Sequence, residues 1–297
     1  MNIFQRLRET LFRVYNRPSL GRWEHAPHLE RPVYGVYHIM LGHGWQSLAQ
    51  AQFRSLKSSG LLDASNKLFV SCITTEHGNE QDLKAVLNSQ KVEIISSTDN
   101  QKRYEYPALE FIKQLCDSED CFVYYFHSKG ISYQAIDSSD RLFRSFCRKI
   151  VAWREMLEYF IFNKWHVAVN VLATEYDTYS AYRWPPRNYT MYSGNFWWAT
   201  AEHIRRLPAF NTSVIESNRF YSEVWLFEKQ HRQFSAFDTI ADLYFVRLPQ
   251  SIYAGVRTRL IDAITFVATY NWRKFQKHAL NLNYKQRCQK RFQQLKD

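Results

Sequence analysis

Between residues 33 and 126, short apolar runs alternate with segments whose apolar residues recur at helical spacing. VYGVYHIM (33–40), KLFVSCITT (67–75), KVEIISST (91–98) and CFVYYF (121–126) are bounded by polar or turn residues and predict strands. Between them lie GWQSLAQAQFRSLKSSGLL, EQDLKAVLNS and YPALEFIKQLCDS, which predict helices. The first stops at Gly60, and the third carries Pro107 in its first turn. Strands that alternate with helices are joined by right-handed crossovers into a mostly parallel sheet, so the pattern predicts an α/β fold. Sheets of this kind take their ligands at the carboxyl ends of the strands.

The second half is less regular. Residues 138–165, including SFCRKIVAWREMLEYFIFNKW, predict a long helical region, and HVAVNVLATEYDTYSAYRW predicts a strand followed by a ligand-facing loop. A helix starts near Thr200 and stops before Pro208, FYSEVWLFEKQ reads as a mostly apolar helix holding Glu223, and residues 242–256 read as a closing strand and turn. At the amino end, MNIFQRLRETLFRVYNR places Ile3, Phe4, Leu7, Leu11, Val14 and Tyr15 at helical spacing among arginines. That pattern fits a basic amphipathic helix lying on a membrane interface, and equally one packed on the body. Pro18, Pro27 and Pro32 mark a linker, which divides the chain into 1–32, a body of 33–256, and a basic helical extension of 257–297.

Charge sharpens that division. The 297-residue chain has a formal charge of +11, yet residues 32–256 are neutral and the excess lies in the two tails. Basic tails on a neutral body predict contact with an anionic surface. No apolar run reaches the roughly 18 residues of a membrane span, and the N-terminus has no apolar stretch with a small-residue cleavage site, so a secretory leader is not expected. Cys72, Cys116, Cys121, Cys147 and Cys288 are scattered and form no Cys-x-x-Cys pair, which predicts reduced thiols in a cytoplasmic protein. A sequence pI of 9.4 also raises nucleic-acid binding as a rival, but the neutral body and the lack of a recognition motif speak against it.

The candidate chemistry begins where the fourth strand runs into His127-Ser128-Lys129-Gly130. An unpaired Lys129 inside the sheet would be costly, whereas at the strand tip it reaches an anion, and Gly130 permits a turn other residues resist. The plain alternative is an ordinary polar loop. Together with YHIM at 37–40, SGLL at 59–62, YEYPAL at 104–109, WREMLEYF at 153–160, YSGNFWWAT at 192–200 and SEVWLF at 222–227, YFHSKG resembles a group of bacterial glycosyltransferase-like proteins of capsule and O-antigen synthesis. The likeness spans roughly residues 33–250. It implies a single Rossmann-like glycosyltransferase A domain, a nucleotide-sugar donor with UDP-hexose leading, and a glycan or lipid-linked glycan acceptor. The expected place is the cytoplasmic face of the inner membrane, with hexosyl, including galactosyl, transfer as the activity.

Many enzymes of that fold end this strand with Asp-x-Asp around a divalent metal; this chain offers His-Ser-Lys. An ammonium neutralises phosphate directly, so Lys129 is expected to stabilise the departing diphosphate with His127 as a hydrogen-bond donor and no metal. A divalent metal (Mn2+ or Mg2+) stays open as a cofactor, with His127 and Asp177 as ligands. Transfer also needs a carboxylate. Glu223 is the first candidate, Asp177 the second, and Glu105 the third, since an acidic residue just before a helix is explained by the helix dipole alone. Tyr37 and His38 are expected at the nucleotide. Ser193, Gly194 and Asn195 offer hydrogen bonds to an acceptor sugar, and of Trp197 and Trp198 one is expected in the core and one against the sugar. A non-catalytic carbohydrate-binding protein is the remaining alternative.

Overall fold

The computed structural model describes residues 13–134, 136, 138–186, 188–210, 218, 220–255 and 258–296. In chain order the strands are β1 (Tyr15–Asn16), β2 (Val33–Met40), β3 (Lys67–Ile73), β4 (Val92–Thr98), β5 (Phe122–His127), β6 (Thr178–Ser180), β7 (Arg183–Trp184), β8 (Met191–Tyr192), β9 (Trp197–Thr200), β10 (Gln233–Ser235) and β11 (Asp238–Thr239). The helices are α1 (Trp45–Ser58), α2 (Leu61–Ala64), α3 (Glu80–Val86), α4 (Tyr106–Ser118), α5 (Arg141–Glu158), α6 (Trp165–Leu172), α7 (Ala201–Arg206), α8 (Tyr221–Val224), α9 (Gln250–Tyr253), α10 (Leu260–Ala279) and α11 (Tyr284–Lys296).

The residues divide into two units. The larger comprises Ser19–Ala135 and Leu157–Ala236, and the other Met1–Pro18, Ile136–Met156 and Phe237–Asp297. The larger unit holds a seven-stranded sheet in the order β10-β6-β9-β5-β2-β3-β4. All its pairings are parallel except those of β9, which runs against both β5 and β6. The predicted mixed α/β fold with a mostly parallel sheet is therefore present. From β2 the chain steps outward to β3 and β4, then returns to place β5 on the other side of β2. That reversal puts a topological switch point between the carboxyl ends of β2 and β5, where open α/β sheets leave a crevice for ligands.

Alternation along the strands decides what each face meets. Val36, Val123, Tyr125, Trp197 and Ala199 share one face with Leu109, Ile112 and Cys116 of α4, all essentially buried. Burying a side chain such as Leu109 or Ile112 contributes about 2 kcal/mol. The opposite face stacks Tyr37 on Phe126 at 4.4 Å and sets Phe162 edge-on to Phe126 at 4.8 Å. Gly35 of β2 makes room there: a Cβ would meet the Tyr124 ring at 2.3 Å. That ring carries its hydroxyl to within 3.0 Å of Ser65 Oγ.

Several expectations need correction. VAVNVL lies in helix α6, not in a strand. Its residues from Val167 to Leu172 are buried all round, so the run carries no periodicity to separate helix from strand. The Glu223 segment is a single helical turn, α8, followed by a tighter turn over Trp225–Phe227. Among described residues 242–255 there is no strand; the regular element is α9. Residues 1–12 of the expected amphipathic helix lie outside the described residues. Residues 13–17 are not helical, and β1 pairs antiparallel with β11 while Tyr15 stacks on Phe237 at 5.9 Å. The stretch read as a linker is partly tied down. Asn170 Nδ2 donates to the carbonyls of Trp23 and His25, both at 2.9 Å, and Lys164 pairs with Glu24 at 2.6 Å. The expected C-terminal helices are present as α10 and α11, and among the described residues no helix is long and apolar enough to cross a membrane.

Candidate active site

Register assembles the site. His38 of β2 stands beside His127 of β5 and beside Ser71 of β3. Tyr125 opposes Trp197 in the antiparallel pair, so two residues further on His127 comes level with Asn195. These side chains lie on the face that α4 covers, and Glu105 is the residue just before α4. Its carboxylate makes no cap to its own helix. It accepts instead from Tyr125 Oη at 2.9 Å and from Asn195 Nδ2 at 2.5 Å, both on Oε2, while Oε1 lies 4.0 Å from His127 Nδ1. The Glu105 and His127 side chains keep 19% and 17% of their exposure, so the cluster floors an open rim and is not sealed in the core.

The electrostatics follow from burial. Desolvation alone would push the Glu105 carboxyl up, but His127, His38 and the two donated hydrogen bonds outweigh it and hold the group below its ordinary range. Burial lowers His38 to about 4, with Glu105 opposing the shift. Burial also lowers His127, and the Lys129 ammonium adds to that effect. His127 Nε2 lies 3.0 Å from the Gly194 carbonyl, an obligate acceptor, so this nitrogen carries the proton and donates. Burial and the Glu105 charge raise the Tyr125 phenol well above its usual value.

The backbone around the cluster is bent into left-handed conformations. Gly130 has φ 91°, Gly194 94°, and two residues with side chains, Tyr104 and Asn195, have 44° and 54°. A non-glycine residue held there costs about 1–3 kcal/mol and persists where surroundings over-determine it. Asn195 is so held: its Oδ1 accepts from Trp197 Nε1 at 3.0 Å and its Nδ2 also reaches the Ser222 carbonyl at 3.4 Å.

The structure thus brings together His38, His127, Ser128, Lys129, Gly130, Ser193, Gly194 and Asn195 at the carboxyl rim. Ser128 Oγ accepts from Met40 N at 3.2 Å and its own N–H donates to the His38 carbonyl at 3.0 Å, which closes the turn across the switch point. Lys129 is 9% exposed and its N–H donates to the His127 carbonyl at 2.8 Å. Glu223 belongs to the same neighbourhood through Ser222, which touches Asn195.

Other candidates fall elsewhere. Asp177 precedes β6, whose Thr178 is level with Ala199 and hence with Val123 near the start of β5. It therefore sits at the amino rim, about 16 Å of strand from His127, where it pairs with Arg206 at 2.8 Å and accepts from Arg232 N at 2.8 Å. Asp177 and His127 cannot hold one cation between them, and among the described residues no group of three His, Cys, Asp or Glu is placed to bind a metal. His127 is not free to donate through Nε2 to a diphosphate, because that proton is committed to Gly194. Tyr37 is buried and donates to Gln52 Oε1 at 2.8 Å, so it supports α1 and does not face a nucleotide. The expected split between Trp197 and Trp198 is absent: both are buried, Trp198 donating to the Ile161 carbonyl at 3.1 Å. Tyr125 is absent from the sequence-based candidates, and the signal was its position two before His127 on the same face.

A model described as a domain of unknown function (DUF8361) matches residues 38–236, two thirds of the sequence, and the chain belongs to that family. No curated protein matches the sequence. Among solved structures, a protein of Desulfovibrio desulfuricans G20 described as a nucleotide-diphospho-sugar transferase aligns at a TM-score of 0.39 and 10% identity, covering 84% of this chain and 97% of that one. Glucosyl-3-phosphoglycerate synthase of Mycobacterium tuberculosis, solved with Mn2+, UDP and glucosyl-3-phosphoglycerate, aligns at 0.36 and 12%, covering 75% and 76%. A 4-diphosphocytidyl-2C-methyl-D-erythritol synthase of Anaerococcus prevotii DSM 20548 aligns at 0.33 and 8%, covering 80% and 97%.

Proposed function

We propose that this chain is a glycosyltransferase that uses a nucleotide-sugar donor, UDP-hexose first, and a glycan or lipid-linked glycan acceptor in surface polysaccharide synthesis. Hexosyl transfer, galactosyl included, takes place in this reading at the cytoplasmic face of the inner membrane, with the basic tails against anionic lipid. The observation that carries it is Lys129: a buried cation in a glycine-permitted turn at the switch point of a mostly parallel sheet. As the bond from the anomeric carbon to the diphosphate oxygen breaks, its electron pair leaves with the diphosphate, and a fixed ammonium there stabilises the developing charge.

Glu105 is a weak base, because its carboxyl is held low and both hydrogen bonds fall on one oxygen. Its part is to hold Asn195 and Tyr125 in place, which makes it a positioning residue. Glu223, on the turn beside Asn195, is the proposed base. In an inverting course the acceptor hydroxyl gives its proton to Glu223 while its oxygen bonds to the anomeric carbon.

A thermal-shift screen of UDP, GDP, CMP and dTDP sugars, with and without manganese, tests the reading. UDP-sugars are expected to raise the Tm of the wild type but not of Lys129→Met, and turnover is expected to survive EDTA. No shift with any donor overturns the reading; turnover that collapses in EDTA and returns with manganese overturns the role of Lys129. Transfer by the wild type that is lost in folded Glu223→Gln separates an enzyme from a carbohydrate-binding protein.

A further inference from the structure

The smaller unit holds a cavity of about 820 Å3 with a marked excess of positive charge. Lys149, Arg247, Arg259 and Arg273 line it, against a single carboxylate, Asp262. Asp262 is occupied by Ser251 Oγ at 2.5 Å, and among the described residues none of the four cations has an ion-pair partner. Lys149 is only 6% exposed and spends its protons on Ser145 O, Ser145 Oγ and Tyr284 Oη at 2.9–3.1 Å. The Arg273 guanidinium lies over the Tyr284 ring at 3.7 Å and donates from one terminal nitrogen to Gln276 at 3.0 Å. Its Nε is buried with no hydrogen-bond partner.

The buried Lys149 without counter-charge is costly, and the unmet Arg273 donor adds to the cost, while Arg247 and Arg259 lie exposed at the mouth. An anion with several oxygens relieves both at once, and arginine forks match phosphate geometry. We propose that this cavity binds a phosphate group, carried either by a lipid headgroup or by a soluble phosphorylated compound. Burial and the neighbouring Arg273 and Arg148 hold Lys149 down at about 8, the direction that unbalanced positive charge produces.

One helix suggests testing the lipid source first. Arg259, Asp262, Phe266 and Arg273 line the cavity from the start and one face of α10. The side of α10 turned away from the cavity exposes Leu260, Ile264, Trp272 and Phe275, each at least half exposed. Of the large apolar side chains exposed among the described residues, seven fall between Leu260 and Leu282, so this is a stripe and not scatter. An apolar stripe bordered by basic residues suits a lipid interface. The site deepens the membrane reading but does not depend on sugar transfer, so either can fail alone.

The experiment uses the full chain. Calorimetry with inorganic phosphate and pyrophosphate at low salt is expected to give saturable binding, weakened at least tenfold in Arg273→Gln and less in Arg273→Lys. Co-sedimentation uses phosphatidylcholine vesicles with and without phosphatidic acid. Binding that requires phosphatidic acid, is displaced by pyrophosphate and is lost in Arg273→Gln assigns a lipid headgroup. Binding of the soluble anions alone assigns a soluble ligand. Should Arg273→Gln not fold, judged by its Tm, Arg247→Gln at the same cavity takes its place. No binding of any probe, or binding indifferent to both substitutions, overturns the proposal, the latter because diffuse tail charge would then suffice.

Discussion

The two rims of the central sheet make a natural contrast, because each sets carboxylates beside cations and imidazoles. At the carboxyl rim Glu105, His38, His127 and Lys129 gather around a turn with left-handed backbone, and the Lys129 charge registers on His127. At the amino rim Asp177 pairs with Arg206, whose side chain is 46% exposed, at the edge of a cavity of about 1280 Å3 that Arg22, His25 and His231 also line. Charge composition alone does not separate them. What separates them is that the first cluster is built on strand tips at a switch point and held by strained backbone, while the second closes the starts of β6 and β10 with an ion pair that water screens.

The largest expected effect falls on the carboxyl rim. Lys129→Met should lower turnover about 100- to 1000-fold, as loss of one donor to a developing anion does, with little change in Tm; steady-state kinetics on a responsive donor reads it. If Lys129→Met turns over normally, the contrast between the rims collapses.

Next comes acid stability. His38 and His203, at opposite rims, are both pulled from 6.5 to about 4 by burial. Their neutral forms are favoured in the folded chain, so the unfolded chain binds more protons between those values. Stability is therefore full above pH 6.5 and falls as pH drops toward 4, by about 3 kcal/mol for each fully buried imidazole. Urea denaturation from pH 7 to 4 should show this slope, and His38→Gln should remove one proton's share. Glu105, held low, adds stability at neutral pH that is lost only as pH falls through its folded value.

Glu105→Gln should cost about 2 kcal/mol, because the charge-assisted bonds from Tyr125 and Asn195 become neutral or mismatched. Its signature as a positioning residue is a fall in kcat with the apparent pKa of the rate profile unmoved; loss of the acidic limb would instead make it the base. The smallest effect belongs to Asp177→Asn, with turnover unchanged and a loss of at most about 1 kcal/mol for a partly exposed pair. Loss of turnover there would move the chemistry to the other rim.

Much of this was readable before the fold. β2 and α4 coincide with VYGVYHIM and YPALEFIKQLCDS, because period and punctuation agree in both. HSKG could be placed at a strand end, since an apolar run stops there. What local pattern could not supply was the partner of Glu105. Tyr125 and Asn195 lie 20 and 90 residues away in sequence, and only the register of an antiparallel strand makes them neighbours. The same ignorance of register hid the burial of both Trp197 and Trp198, which depends on cover from both sides of the sheet. VAVNVL failed for a different reason, as uniform burial erases amphipathic period.

The reversed direction of β9 has a consequence for how this fold can vary. A strand that runs against its neighbours begins where they finish, so residues 192–196 and residues 127–130 arrive at a single margin from opposite ends of their strands. Lengthening or exchanging the segment ahead of Trp197 would remodel one wall of the cleft while leaving the Lys129 turn untouched. Under the proposed function, recognition of the incoming partner and grip on the departing one can thus drift separately within the same scaffold.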